Sequence, residues 1–591
     1  MRSSTVQLKW KPVLAASVVA LFVIYMLAKV YINTLPLGNK TLLYDQHKTN
    51  NDKKMHVIKQ SFYKIWEEPN GQFNPHDPGE NGGEVLTKQE DQMKINKAYT
   101  KYGFNQFVSD QISFHRSLPD PRPSQCLQKQ YSIDLPQVSV IIIFHNEGWS
   151  TLLRTVHSVI NRSPPQLLHE IVLCDDFSSA DHLKKPLEEY ISEYPKVKLV
   201  RTPQREGLIR ARVYGADHAT GEVLLFLDSH CEANVGWLPP LLAEVGKDYR
   251  RVVCPTVDFI DHNNFHYRGV DPYIRGTFNW RFDYKEKVVP DKMKRTLVAP
   301  TDGVESPVMA GGLFAISRRF WEELGKYDPG MYVWGGEQYE ISFKLWMCGG
   351  KMLNMPCARV GHVYRRNVPY TYNKPFAVLI NFKRVAEVWM DGFKEFLYHR
   401  RPDISQQAFG DVSERVAIRH RNKCHDFRWY LLNVANDTVR TKFEPERGSG
   451  QIRNMKHDKC LDSESRGPGN RITLNPCRGS FNQQFSWTYI NELRQNPEEC
   501  LDARYTQKES VFREKCHEMG GNQKFLYRKE SKQFYHEGSS SCVSVYGDSP
   551  MIEACDDDKL EQKWEMELKD INAPVPQWAQ LAEDFPQPPI P

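Results

Sequence analysis

Polar and apolar positions change rhythm several times along this chain. Residues 138–144 (VSVIIIF) form a continuous β-branched run, the pattern of a strand buried on both faces. Residues 150–161 place Leu152, Leu153, Val156 and Val159 at helical spacing, and residues 171–173 give a second short strand that ends in Cys174, Asp175 and Asp176. A helix over 180–194, capped by Ser178 or Ser179, follows. Strand 197–200, helix 208–218 and strand 223–227 complete the series. This alternation predicts a parallel sheet with helices on both faces, whose ligands lie beyond the carboxyl ends of the strands. Asp176, Asp228 and His230 then face one crevice. No GxGxxG follows the first strand, which argues against a nicotinamide or flavin cofactor.

Before this body the pattern differs. Residues 1–11 are basic, with Arg2, Lys9 and Lys11, and read as a cytoplasmic tail. Residues 12–32 are apolar apart from Lys29 and long enough to cross a bilayer. No small-residue cleavage site follows, so we expect an uncleaved transmembrane signal-anchor and a single-pass type II protein with a lumenal body. Residues 33–117 are polar and lack sustained periodicity, which predicts a lumenal stem. The net charge of +5 over 591 residues gives no nucleic-acid footprint. Of thirteen cysteines, six fall in three regular pairs near the C-terminus, which indicates an oxidising compartment.

Candidate chemistry centres on residues 221–237 (GEVLLFLDSHCEANVGW). An extended chain puts Asp228 and His230 on the same side, so both reach one divalent ion; the bland alternative is an Asp that caps the next turn beside a satisfied His. His362 offers a third ligand. Gly311 and Gly312 permit close backbone approach to a ligand. Glu337 either favours a helix dipole or, with Trp334 and two glycines, forms a sugar-binding wall. Tyr273, Phe278, Trp280 and Tyr284 either line an acceptor groove or are half-buried aromatics of a long insertion.

From residue 450 an internal repeat appears. Cys460, Cys500 and Cys542 open units that close on Gln483, Gln523 and Gln562, a period of about 40 residues. Three units too small to bury a core alone predict a β-trefoil of the ricin B lectin type over 447–570, stapled by Cys460–Cys477, Cys500–Cys516 and Cys542–Cys555. Residues 571–591 read as a tail.

FHNEGWSTLLRTVHSVINRSP, REGLIRAR, FLDSHCE, ESPVMAGGLF, WGGEQYEISFKLWMCGG, CARVGHVYR and RVAEVWMD together resemble the polypeptide N-acetylgalactosaminyltransferases, the Golgi enzymes that begin mucin-type O-glycosylation. The resemblance implies a Rossmann-like GT-A catalytic domain over 118–440 in an α/β protein of the Golgi membrane. It implies Mn2+, UDP-GalNAc as donor, and transfer with retention to Ser or Thr hydroxyls of protein or glycoprotein acceptors. Asp228, His230 and His362 correspond to metal ligands, and Asp176 and Arg205 to nucleotide-facing positions. Gly312, Trp334, Glu337 and Arg212 correspond to the GalNAc pocket, and Arg365 and Tyr370 to the loop that closes on the diphosphate. The catalytic set is then Asp228, His230, Glu337, Trp334 and Arg365, with no protein nucleophile. The family also implies Cys126–Cys357 and Cys348–Cys424, leaving Cys174, Cys231 and Cys254 free.

In the trefoil the resemblance implies sugar contacts at Asp462 and Asn482 in the first repeat and at Asp502, His517 and Asn522 in the second. The third repeat reads Cys542-Val543-Ser544, without the Asp, and is expected to be structural. One departure stands out: Gln338-Tyr339 follows Glu337, where most members carry Asn directly after the Glu. That variant resembles a subgroup preferring acceptors that already bear GalNAc. The competing expectation is a binding protein that has lost turnover and holds glycoproteins through its trefoil or groove.

Overall fold

The computed structural model describes residues 57–58 and 74–582, except positions 133, 296, 368, 370–373, 440–444, 465, 497, 504–509, 518 and 573–575. The expected anchor over 12–32 and the loop residue Tyr370 lie outside the described residues. Among the described residues no helix is long and apolar enough to cross a membrane.

Strands β1 (Val138–Phe144), β2 (Leu168–Asp175), β3 (Val197–Arg201) and β4 (Val223–Asp228) are parallel in the order β4-β1-β2-β3. The run VSVIIIF is apolar throughout because both of its faces are covered. Ile141 and Ile143 join one core cluster, while Val138, Val140, Ile142 and Phe144 join the other. Helices α1 (Trp149–Arg162) and α2 (Lys185–Ile191) pack on the second face through Leu152, Leu153, Val156, Val159, Leu187 and Ile191. Helix α3 (Leu208–Asp217) covers the first through Ile209, Ala211 and Ala216.

The sheet is not purely parallel, as the alternation had predicted, but ten-stranded and mixed. Beyond β4 the chain gives β5 (Cys231–Ala233) and β6 (Arg251–Ile260), then a separate two-stranded hairpin of β7 (Ile274–Phe278) with β8 (Tyr284–Val288), and β9 (Phe314–Ser317) back in the sheet. Strand β9 lies antiparallel between β4 and β6. The insertion after β6 ends at the carboxyl edge of the sheet, so the strand that follows must run back. After α4 (Glu337–Met347), strand β10 (Lys351–Val363) returns parallel to β6.

Two further expectations need correction. The helix predicted over 180–194 is a 3-10 turn, Asp181–Leu183, followed by α2. Lys184 leaves helical geometry, and Pro186 restarts the helix in its first turn, where a missing N–H costs nothing. The serines do not cap it: Ser178 Oγ accepts from Asn146 N at 2.9 Å, and Ser179 N donates to Asn146 Oδ1 at 2.8 Å. The stretch 74–117, read as part of the stem, is folded onto the body. It contributes the helix Gln92–Tyr102, and Phe104, Val108 and Ile112 pack with Phe265, Tyr267 and Val363. Arg116 makes a buried two-pronged ion pair with Glu232 at 2.8 Å. A segment held by one short apolar cluster, a buried ion pair and buried polar contacts such as Arg154 with Ser109 Oγ at 3.0 Å has little periodicity to read.

All five expected disulfides form: Cys126–Cys357, Cys348–Cys424, Cys460–Cys477, Cys500–Cys516 and Cys542–Cys555. Cys174, Cys231 and Cys254 are free and buried. The C-terminal repeats share one core through Trp487, Leu501, Phe525, Phe534 and Trp564. Each repeat's glutamine is buried. Gln483 donates to Asp462 Oδ2 at 3.1 Å, Gln523 to Asp502 Oδ2 at 2.9 Å and Gln562 to Glu553 Oε1 at 2.9 Å. Lys285 and Lys287 of β8 face this region, 3.4 Å from Glu499 and 3.3 Å from Glu498.

Candidate active site

The carboxyl ends of β1, β2 and β4 open on one crevice, and the predicted triad assembles there from two distant segments. Asp228 ends β4, His230 lies in the turn before β5, and His362 lies near the end of β10. Pairing of β5 with β10 sets His362 opposite Cys231, and Val363 N donates to His230 O at 3.0 Å. Donor atoms of Asp228, His230 and His362 lie within 4.8 Å of one another. His362 Nε2 is 3.3 Å from Asp228 Oδ2, and its buried Nδ1 has no partner. A carboxylate with two imidazoles suits Mn2+, so the residues present fit such an ion.

The neighbours of the triad fix its charge. Burial alone would raise the Asp228 carboxyl, but the hydrogen bond from His362 and the Arg212 guanidinium hold it far below the usual carboxylate range. Arg212 donates to Asp228 Oδ1 at 3.1 Å and to Gly311 O at 2.7 Å. Burial and Arg365 push His230 down and keep it neutral, the form that ligates metal, against the opposing pull of Glu147.

Glu147, which sequence reasoning quoted without a role, sits three residues past β1 and is fully buried. Its Oε2 accepts from Ser229 Oγ at 2.6 Å and from Arg365 at 2.7 Å, and lies 3.0 Å from His230 Nδ1. Burial raises its carboxyl, yet Arg365, His230 and Ser229 outweigh that and hold it at about 2. Its position at the end of a strand in the same crevice was the available signal.

Two chambers meet at Asp228, His362 and Trp334. One holds His145, Asp176, Arg205, His230 and Arg365; the other, of about 270 Å³, holds Arg212, Gly312, Glu337 and Gln338. Asp176 is more occupied than its expected role implies. It pairs with Arg205 and accepts from Glu206 N at 2.8 Å and Gly207 N at 2.9 Å, so it shapes the loop that carries Arg205. Gly312 lies so close to the triad that a Cβ there would stand 2.7 Å from Asp228 Oδ2. Glu337 opens α4, is buried, and accepts from Gly335 N at 2.7 Å. Burial raises its carboxyl against the pull of Arg212, 3.8 Å away. Trp334 is 44% exposed at the chamber mouth, an accessible position for a stacking ring.

Asn381 was also missed. Fully buried, it donates to Tyr332 O and Gly335 O at 2.8 Å each and accepts from Tyr332 N at 2.8 Å, so it splints the Trp334–Glu337 turn. Of the aromatic strip, Phe278 and Trp280 are core residues, while Tyr284 lines the chamber that holds Glu337. The lectin residues lie in the trefoil, apart from the triad. Asp502, Asn522 and His517 form one chain, with Asn522 Nδ2 donating to Asp502 Oδ2 at 2.6 Å and Asn522 Oδ1 3.1 Å from His517 Nε2. Asp462 accepts from Gln483, and the residue after it leads to Asn482, whose carbonyl accepts from Ser463 N at 3.0 Å.

Comparison with known proteins decides between the enzyme family and a chance likeness. Residues 139–325 match the glycosyl transferase family 2 model, and residues 448–564 match the ricin-type β-trefoil lectin domain. Polypeptide N-acetylgalactosaminyltransferase 10 of Homo sapiens is 46% identical over 493 residues, covering 80% of this chain and 81% of its own. The chain belongs to the polypeptide N-acetylgalactosaminyltransferase family. N-acetylgalactosaminyltransferase 6 of Drosophila melanogaster, another member, is 44% identical over 508 residues, covering 82% of this chain and 75% of its own. The crystal structure of GalNAc-T7 with UDP, GalNAc and Mn2+ matches with a TM-score of 0.71 at 37% identity, covering 88% of this chain and 99% of that one. The family fold, a GT-A body followed by a trefoil, is therefore the fold of this chain.

Proposed function

We propose that this transferase moves GalNAc from UDP-GalNAc to Ser or Thr hydroxyls of proteins with retention, using Mn2+. The observation that carries this reading is the pre-assembled triad of Asp228, His230 and His362 between a basic chamber and a chamber walled by Gly312, Trp334 and Glu337. Asp228, His230 and His362 would hold the ion, which when bound offsets the charge gathering on the leaving diphosphate. Arg365 adds positive charge at the same end of the crevice, its guanidinium fixed by Glu147. Glu337 and Trp334 orient the sugar, and Arg212 keeps Asp228 ionised and in place. Arg205 faces the nucleotide, with Asp176 positioning it. No side chain is assigned as nucleophile. Assay of labelled UDP-GalNAc with Mn2+ over a broad panel of peptides and glycopeptides tests the reading: the wild type transfers and Asp228→Ala does not. Absence of transfer to every acceptor by the wild type would overturn it in favour of a binding protein.

The acceptor reading is a glycopeptide preference. Gln338 supports it: the residue that departs from the family's usual Asn lines the same chamber as Trp334 and Glu337, with its Oε1 accepting from Gly336 N at 3.1 Å. We further place the body on the lumenal side of the Golgi membrane, anchored through residues 12–32, with a catalytic domain that takes in residues 74–117 and a trefoil over 447–570. The second trefoil repeat is the better sugar site, because its Asp502, Asn522 and His517 form a continuous hydrogen-bonded chain.

A further inference from the structure

Three Asn-X-Ser/Thr triplets occur along the chain: Asn39-Lys40-Thr41, Asn161-Arg162-Ser163 and Asn436-Asp437-Thr438. Such a triplet is the acceptor signal for an N-linked glycan in the secretory route, and a folded chain tolerates the product only where the Asn side chain ends in solvent. The first triplet lies outside the described residues. The other two end in opposite surroundings.

Asn161 stands in the last turn of α1 and is half-buried. Its Nδ2 lies 2.8 Å from His115 Nδ1, and His115 packs edge-on against His157 with ring centres 4.4 Å apart. Ser163 is buried, its Oγ accepting from Trp237 Nε1 at 3.1 Å, and Pro164 follows directly. A sugar on Asn161 would have to displace His115. Asn436, by contrast, is exposed in the turn that follows the helix Phe427–Asn433. Among the described residues nothing hydrogen-bonds its side chain. Its neighbours are held: Ala435, Thr438 and Val439 are buried, Thr438 Oγ1 donates to Ala435 O at 3.2 Å, and Asp437 pairs with Arg275 of β7. The turn is thus pinned on both sides of Asn436 while that one side chain is directed out.

We propose that Asn436 carries an N-linked glycan, at the joint between body and trefoil, while Asn161 stays bare. The co-reactant is an oligosaccharide held on a lipid diphosphate, handed over by the lumenal oligosaccharyltransferase. The Asn436 amide nitrogen bonds to the anomeric carbon, the carbon–oxygen bond to the diphosphate breaks, and the proton lost from the amide leaves with the lipid diphosphate. This rests on the lumenal placement given above. Thr438 O accepts from Lys287 at 3.1 Å, and Lys287 lies 3.3 Å from Glu498 of the trefoil, so the glycan roots beside the contacts that join the two. Asn436 lines neither chamber of the crevice, and the glycan coats the joint without entering the transfer reaction.

The test uses the full chain made in cultured animal cells. Protease treatment of intact vesicles reads the side on which the body lies. Glycan removal by peptide-N-glycosidase in heavy-oxygen water, followed by peptide mapping, reads each Asn. Asn436 should return as Asp bearing the heavy oxygen. Asn436→Gln should migrate as a chain short of one glycan, Thr438→Ser, which keeps the hydroxyl, should retain the glycan, and Asn161→Gln should change nothing. The kcat/KM of Asn436→Gln should stay within about twofold of wild type, as for a surface substitution away from the site. A body open to protease overturns the lumenal placement and this site with it. A protected body whose Asn436 is unmodified, or whose Asn161 is modified, overturns the site assignment alone. A greater fall in kcat/KM overturns the separation of the glycan from transfer.

Discussion

Gly312 and Glu147 carry consequences out of proportion to their size. A methyl at Gly312 must displace the Asp228 carboxylate it would meet at 2.7 Å. Gly312→Ala should therefore cut kcat/KM by about a hundredfold, the scale of a 1 Å misplacement in a catalytic site, while a thermal scan shows the fold retained. Glu147 acts through others, holding the His230 ring and Arg365. Glu147→Gln keeps the shape and removes the charge. We expect Mn2+ affinity to fall about 10- to 100-fold, read directly by titrating Mn2+ against the protein without donor.

Among the elements, the turn from Trp334 to Glu337 depends on Asn381. Asn381→Leu strips its carbonyls and N–H of their partners and should destabilise the body by about 1–3 kcal/mol and raise KM for UDP-GalNAc; chemical denaturation and donor kinetics check both. The sequence made β1, β2 and β4 readable because each carries a short apolar run closed by polar residues. It made the triad readable because Asp228 and His230 share a strand end and His362 stood as a late histidine able to complete the set, a role that the resemblance also implied. It could not show the reversal of β9, which follows from where an irregular insertion finishes. Nor could it show Asn381, whose polar side chain lies on the buried face of a helix and looks there like any other interruption.

Across the whole molecule, acid should loosen the body. His157 is buried against Phe114, with His115, Tyr190 and Tyr194 around it, and Nε2 is 2.8 Å from Tyr190 Oη. Burial first, then His115, pushes its ring down to about 4. The unfolded chain takes up this proton near pH 6.5 and the folded chain does not, so stability is intact above pH 6.5 and is lost as pH falls toward 4. The loss reaches about 3 kcal/mol at the lower end. Thermal midpoints across this range should drop for the wild type and drop less for His157→Phe. The trefoil is held partly by Lys285 and Lys287. Reversing both to Glu should loosen it, seen as a larger radius in small-angle scattering, and pairing that change with Glu498→Lys and Glu499→Lys should restore the compact form.

The segment 74–117 completes the far side of the metal site. Phe104 lies 6.3 Å from the His230 ring and beneath the Arg365 guanidinium, and Gly103 O accepts from Arg366 N at 2.9 Å. Where the chain is cut therefore decides what the remaining body can do. A fragment that starts just before residue 74 should transfer GalNAc, whereas one that starts near residue 118 lacks the side of the crevice that Phe104 covers and should not. Purifying the two fragments and assaying each for transfer checks this.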